Sequence, residues 1–187
     1  MMGDLSDIIH ALPVLDYLHK VAPGMEIDWV VEEAFLDILG DNPLISRLHA
    51  VRTAAWRRKP WARSTREEIG SVRHSLRSRD YDLVFDIQGT LKSGLVCLFS
   101  GAAKRIGFTR ENLREPLNLL FTTRQIPVRR QDYHVTDRYL RLVSVSFGKD
   151  FATMKLSPDI ATAPEDDESA RTLLATLSDG LVFLFHH

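Results

Sequence analysis

Asp82-Leu83-Val84-Phe85-Asp86-Ile87-Gln88-Gly89-Thr90-Leu91-Lys92-Ser93 decides how this chain is read. An apolar run between aspartates makes Asp82 to Ile87 the clearest strand of the sequence, and it ends in polar Gln88-Gly89. From Leu91 to Phe99 the apolar residues return at helical spacing. A strand, a tight turn and a helix in that order is the repeating unit of a parallel α/β sheet. In open sheets of this kind ligands gather at the carboxyl ends of strands, so the turn Asp86 to Ser93 is a candidate site on geometry alone. It offers a carboxylate, the Gln88 amide, a flexible glycine and the Lys92 ammonium.

The same alternation extends outward in both directions. Ile8, Ile9, Leu12, Leu15 and Leu18 form one helical stripe with Ser6 as its N-cap, and Pro13 is expected to bend that helix or shift its start. Ile27 to Val31 reads as a strand, Glu33 to Leu39 as a helix stopped by Gly40-Asp41-Asn42-Pro43, and Leu44 to Val51 as a weak strand. Ser64-Thr65-Arg66-Glu67 fits a capping box opening a helix that runs to about Arg79. Downstream, Lys104 to Phe108 is a further strand and residues 109 to 131 are irregular apart from a helical piece at Leu117 to Phe121. Val135 to Phe147 is an amphipathic helix with Leu140 and Val143 inward.

Residues 156–167 have linker composition, and beyond them a helix and the apolar strand Leu181 to Phe185 follow. The expected division is a Rossmann-like domain over 1–155, a linker over 156–167 and the start of a second domain over 168–187. Such a domain normally opens with a central strand, and the first helix begins here almost at residue 6. A gap in the sheet, apolar and with unpaired edges, and marginal stability are the expected consequences.

At 187 residues, 44% apolar and 26% charged, the chain can bury one ordinary core and is not collagen-like, low-complexity or wholly disordered. The single Cys97 leaves no disulfide framework and no cysteine-based zinc site. The most apolar run, Gly94 to Ala103, is far short of a bilayer span, and the acidic start is unlike a signal peptide, so a cytoplasmic location is expected. A net charge of −1 hides opposite blocks: residues 1 to 46 hold one base against nine acids, while residues 47 to 79 hold ten bases against two. A basic block of this kind attracts a phosphorylated ligand, an anionic membrane or nucleic acid, or is simply a solvated face. G-x-G-x-x-G, P-loop, H-E-x-x-H, G-x-S-x-G and EF-hand patterns are all missing from the sequence, which removes the usual support for those enzyme classes.

Asp7 falls in the first turn of the first helix, where free amides and the macrodipole favour a carboxylate. It reads as a general base for an alcohol or as an ordinary acidic first-turn residue, and His10 one turn later as a packing residue. Trp56-Arg57-Arg58-Lys59-Pro60-Trp61 sets three cations between two indoles, suited to gripping phosphate or carboxylate, or to a basic loop anchored by half-buried tryptophans. Arg114-Glu115-Pro116 adds a cation in a long connection, with an intrachain ion pair as the alternative.

These segments in this order resemble the lipopolysaccharide heptosyltransferases of glycosyltransferase family nine, and within them the heptosyltransferase I branch. The likeness is carried by Ser6-Asp7-Ile8-Ile9-His10-Ala11-Leu12-Pro13, Ile27 to Glu33, Trp56-Arg57-Arg58, Tyr81 to Val84 with Asp86 to Ser93, Arg114-Glu115-Pro116-Leu117 with Leu120-Phe121, and His134 to Arg138. The resemblance implies a GT-B fold, in which an α/β Rossmann-like N-terminal domain with a parallel sheet flanked by helices holds the acceptor and a second such domain holds the donor. It implies inverting, metal-independent and cofactor-free transfer of L-glycero-D-manno-heptose from ADP-heptose to Kdo of Kdo-lipid A. The enzyme would work peripherally at the cytoplasmic face of the inner membrane, with no nucleic acid and no obligate protein partner.

Asp7 falls on the family's catalytic aspartate. Arg57, Arg58, Lys92 and Arg114 fall on or beside basic positions for the anionic acceptor, and with Lys59 and Gln88 they make up the expected acceptor-binding set. Ser6 departs from the glycine usual before that aspartate. Because the opening strand and nearly all of the donor domain are not written in these 187 residues, the chain alone is expected to be inactive and not to bind ADP-heptose. Two other readings stand beside this one, a noncatalytic Rossmann-like module binding anions or a membrane surface, and a nucleic-acid binder using the arginine block.

Overall fold

The computed structural model describes residues 5–129, 132 and 134–157. In chain order it forms α1 (Leu5–Val21), β1 (Asp28–Glu32), a 3₁₀ turn (Glu33–Phe35), α2 (Leu36–Leu39), β2 (Arg47–Val51), α3 (Thr53–Arg58) and α4 (Arg63–Arg77). Then come β3 (Leu83–Phe85), α5 (Leu91–Phe99), β4 (Lys104–Phe108), 3₁₀ segments at Arg110–Asn112 and Pro116–Leu120, β5 (Arg124–Ile126), α6 (Val135–Ser144) and a 3₁₀ turn at Phe151–Thr153. Among the described residues every strand pairing is parallel: β1 with β2, and β3, β4 and β5 in that order. Parallel neighbours require crossovers, which is why strand and helix periods alternate along the sequence. The linker from residue 158 onward and the helix and strand expected after it lie outside the described residues.

The helical stripe of α1 reaches both sheets. Ala11, Val14, Tyr17 and Leu18 pack with α6 and with Ile106, Phe108 and Ile126 of β4 and β5. Ile8, Leu12 and Leu15 pack on Val31 and Leu39. The helix runs from Leu5 through Pro13, so Ser6 lies inside it rather than at its cap. Every residue from Ala11 to Leu18 is buried, and that packing offsets the hydrogen bond that Pro13 cannot donate.

β1 and β3 do not pair. Between them lies a largely apolar cleft of about 240 Å³ whose walls include Trp29, Val30, Leu83, Phe85, Val14 and Leu18. Among the described residues, β1 and β3 thus stand as facing edges of two separate sheets.

Three expectations need correction. Ser64 and Glu67 form no capping box, because α4 starts at Arg63 after Ala62 with no side-chain cap. A tight link from α3 sets that start: Ala62 N donates to Lys59 O (3.1 Å) and the Thr65 hydroxyl donates to the same oxygen (2.8 Å), while Glu67 pairs with Arg63 (2.7 Å). A capping box occurs instead at α5, between Thr90 and Ser93. Residues 109 to 131 are not wholly irregular, since Arg124–Ile126 forms β5, a short polar strand whose order comes from pairing with β4. The Trp56 to Trp61 cluster is only partly a loop: Trp56, Arg57 and Arg58 close α3 and Lys59, Pro60 and Trp61 lead out of it, and while Trp56 is half-buried as expected, Trp61 is almost fully exposed.

Candidate functional site

β3 ends just before Asp86, whose carboxylate turns inward. One oxygen accepts from the backbone amides of Gln88 (3.1 Å) and Gly89 (2.9 Å), the other from the Ser93 hydroxyl (3.0 Å) and the Asn118 amide (2.6 Å). At 2% exposure and with four donors, Asp86 is committed to shaping the turn. Gly89 has φ +67°, and a Cβ there would lie 2.9 Å from Leu113 Cδ2, so the turn and the close crossing of the Leu113-Arg114 segment demand glycine. Glu115 N donates to Gly89 O (3.1 Å), and the Glu115 carboxylate accepts from Leu91 N. The turn after β3 thus fixes the position of Arg114.

From that position Arg114 meets Asp7 in the first turn of α1. Its two terminal nitrogens donate to the two carboxylate oxygens at 2.7 and 3.0 Å, a fork that holds the acid in one orientation. The Tyr139 hydroxyl donates to Asp7 Oδ1 at 3.3 Å. Packing of α6 on α1, reinforced by contact of His10 Nδ1 with the Thr136 hydroxyl (3.2 Å), brings it there. Burial, then the Asp7 charge, push the Tyr139 phenol up to about 12, so it is a neutral donor near pH 7.

Asp7, Gln88, Glu32, Tyr139, Trp29 and Phe35 are among the residues lining an open pocket of about 70 Å³ at the carboxyl end of β1. Glu32 accepts from the Thr53 amide (3.1 Å) and hydroxyl at the start of α3, and the Lys92 ammonium donates to that hydroxyl (3.3 Å). Of the residues singled out in the sequence, Asp7, Gln88 and Arg114 come together, and Lys92 joins them at the rim through Thr53 and Glu32. Arg57, Arg58 and Lys59 do not line this pocket; they are exposed at the far end of α3. Trp56 is anchored by its indole N–H to Glu68 (2.8 Å).

Tyr139 and Glu32 escaped the sequence reading. Glu32 was legible by the rule that marked Gln88, being the first polar side chain after an apolar strand. Tyr139 had the weaker signal of a phenol beside the inward Leu140.

The profile of Glycosyltransferase family 9 (heptosyltransferase) matches residues 69–186. The chain is 38% identical over 126 residues to Lipopolysaccharide heptosyltransferase 1 of Pseudomonas aeruginosa, covering 67% of this chain and 36% of that protein. To its namesake in Escherichia coli K12 it is 31% identical over 146 residues, covering 78% and 46%. Among solved structures it is similar to E. coli heptosyltransferase WaaC with ADP, at TM-score 0.78, 26% identity, and 95% and 63% coverage of the two chains. A family 9 glycosyl transferase from Veillonella parvula shares the fold at TM-score 0.72 and 20% identity, covering 95% of this chain and 48% of that one. The chain thus spans under half the length of these curated relatives.

Proposed function

The chain belongs to glycosyltransferase family 9, and from that premise we propose that it is the acceptor-side domain of a lipopolysaccharide heptosyltransferase I. The reaction would move heptose from ADP-heptose to a Kdo hydroxyl of Kdo-lipid A. The acceptor oxygen attacks the anomeric carbon, the bond to ADP breaks with inversion, and the hydroxyl proton passes to Asp7. What carries this reading is the Asp7 carboxylate held by Arg114 and Tyr139 at the edge of an open pocket.

Both Asp7 oxygens are engaged by the Arg114 guanidinium. An anionic acceptor group, such as the Kdo carboxylate, competes for Arg114 and frees one oxygen, while Tyr139 keeps the other oriented. The base then becomes available only when the acceptor has arrived. Gln88 and Lys92 complete the acceptor side, and the exposed Arg57, Arg58 and Lys59 draw the anionic glycolipid toward it. The protein is proposed to work peripherally at the inner membrane; among the described residues no helix is long and apolar enough to cross one.

Titration of a soluble Kdo disaccharide into the chain tests the acceptor side. Arg114→Ala is expected to weaken binding about tenfold, the scale of a charged hydrogen-bonded contact, and unchanged affinity would overturn that assignment. Asp7 is tested by exchanging residues 5–157 into the E. coli relative and comparing Asp7→Asn with the parent exchange. A fall in kcat of about 10²- to 10⁴-fold is expected. Transfer untouched by Asp7→Asn, with acceptor binding retained, would leave the noncatalytic anion-binding reading.

A further inference from the structure

α5 presents an apolar stripe that nothing in the described fold covers. Leu91, Leu95 and Leu98, at spacings of four and three, are 37%, 37% and 42% exposed. The opposite side of the helix buries Ser93, Gly94, Val96 and Cys97. Beside the stripe lies the segment Pro116–Leu120, seated against α5 so closely that a Cβ at Gly94 would fall 2.6 Å from Phe121 Cδ2 and 2.9 Å from the Asn118 amide. That segment points two more leucines outward, Leu117 at 61% and Leu120 at 77% exposure. Five exposed leucines thus lie on two elements packed side by side and make an apolar ridge.

We propose that this leucine ridge lies on an anionic phospholipid surface, an inference that rests on the reading of the acceptor as a lipid-borne sugar. Charge selects this occupant. Neither Leu91–Phe99 nor Pro116–Leu120 contains an acidic residue. The nearest acid in sequence, Glu115, is bonded to Leu91 N. Cations accompany these elements: Lys92 lies within α5 and bonds to Thr53 at the start of α3, which ends in exposed Arg57 and Arg58. An apolar ridge accompanied by cations matches the interface between headgroups and acyl chains, with the leucines entering and the bases meeting phosphate.

The ridge also has a useful position. Leu91 directly follows the turn that contains Gln88, a wall of the Asp7 pocket. A helix of nine residues is ~13 Å long, so the ridge runs along the surface from the pocket edge. A glycolipid held in the bilayer would therefore meet the pocket with its sugars while its acyl chains stay in the membrane.

Co-sedimentation of the full chain with vesicles tests this, using phosphatidylethanolamine with phosphatidylglycerol against pure phosphatidylcholine. The chain is expected to bind the anionic vesicles, less so as salt rises. Leu117→Gln with Leu120→Gln should weaken that partition about tenfold, as expected for removing two half-inserted leucines. Leu95→Gln with Leu98→Gln should do the same, with thermal midpoints unchanged in both double variants. The proposal is overturned if both double variants partition like the parent, if the parent ignores anionic vesicles, or if the variants convert a dimer to a monomer without affecting vesicles. Partition requires neither donor nor acceptor, so its result is read independently of any result on heptose transfer.

Discussion

Asp7 and Asp28 have partners of nearly the same kind at opposite ends of β1. Asp7 accepts two bonds from Arg114 and one from Tyr139. Asp28 accepts from Arg79 at 2.8 and 3.2 Å and from Tyr81 at 2.7 Å, and His49 Nε2 lies 3.3 Å away. Their surroundings differ. The Asp28 side chain is 3% exposed, and its partners close on one another: Tyr81 also reaches His49 (2.9 Å), Arg79 also reaches Glu26 (2.7 Å), and Ser75 meets the other nitrogen of His49 (3.1 Å). Burial raises the Asp28 carboxyl, but the hydrogen bonds from Arg79, Tyr81 and His49 outweigh it and hold the group below the usual carboxylate range. Asp7 keeps 16% exposure, its Arg114 keeps 48%, and it fronts a pocket. An Asp-Arg-Tyr set whose members satisfy one another pins α4 and the following loop to β1 and β2. The same set with one face open can exchange a partner for a ligand.

Removing the closed carboxylate should have the largest effect on stability. Asp28→Ala strands a half-buried tyrosine and a buried histidine as well as the arginine, and is expected to cost about 3 kcal/mol in urea unfolding. Asp7→Ala, in the same measurement, should cost less than about 1 kcal/mol; equal losses would erase the distinction. Next comes Tyr81→Phe, which loses a bond to a charged, buried acceptor and should cost about 1.5 kcal/mol. Its counterpart Tyr139→Phe, with a longer bond, should stay near 0.5 kcal/mol.

The acid limb sharpens the contrast further. A carboxyl lowered on folding contributes stability that is present above its unfolded value and lost as pH falls through its folded value. The parent should therefore lose stability below about pH 3.8, the ordinary value for Asp28. Asp28→Asn should flatten that limb without abolishing it, because Asp16 is lowered too: bonds from Lys20 and Ser157 outweigh its burial. The smallest expected change is in the stability of Arg114→Ala, within about 0.5 kcal/mol, because that pair is half exposed.

Much of the architecture was legible because its elements obey their local periods. Leu91–Phe99 and Lys104–Phe108 form with the boundaries that spacing indicates. β5 was not legible, since Arg-Gln-Ile has no strand pattern of its own and is ordered by the edge of β4. The S-x-x-E pattern misled because the hydroxyl of Thr65, not that of Ser64, was recruited, and by the end of α3 rather than by the helix start. Within the site, the first-turn placement of Asp7 was readable. Its pairing was not, as Arg114 is 107 residues away and Tyr139 is 132.

By itself the sequence determined a parallel α/β domain, the polar turn that ends its clearest strand, the acid at the start of α1 and the segregation of acidic and basic blocks. These follow from period, local backbone preference and charge count, each a property of neighbouring residues. Only the tertiary structure decided that Asp86 is spent on its own turn, that Asp28 is sealed and that Asp7 stays open between Arg114 and Tyr139. Exposure and partner choice depend on which distant segments the packing of α1, α6 and the β3–α5 turn brings within hydrogen-bond reach, and no local pattern encodes that distance.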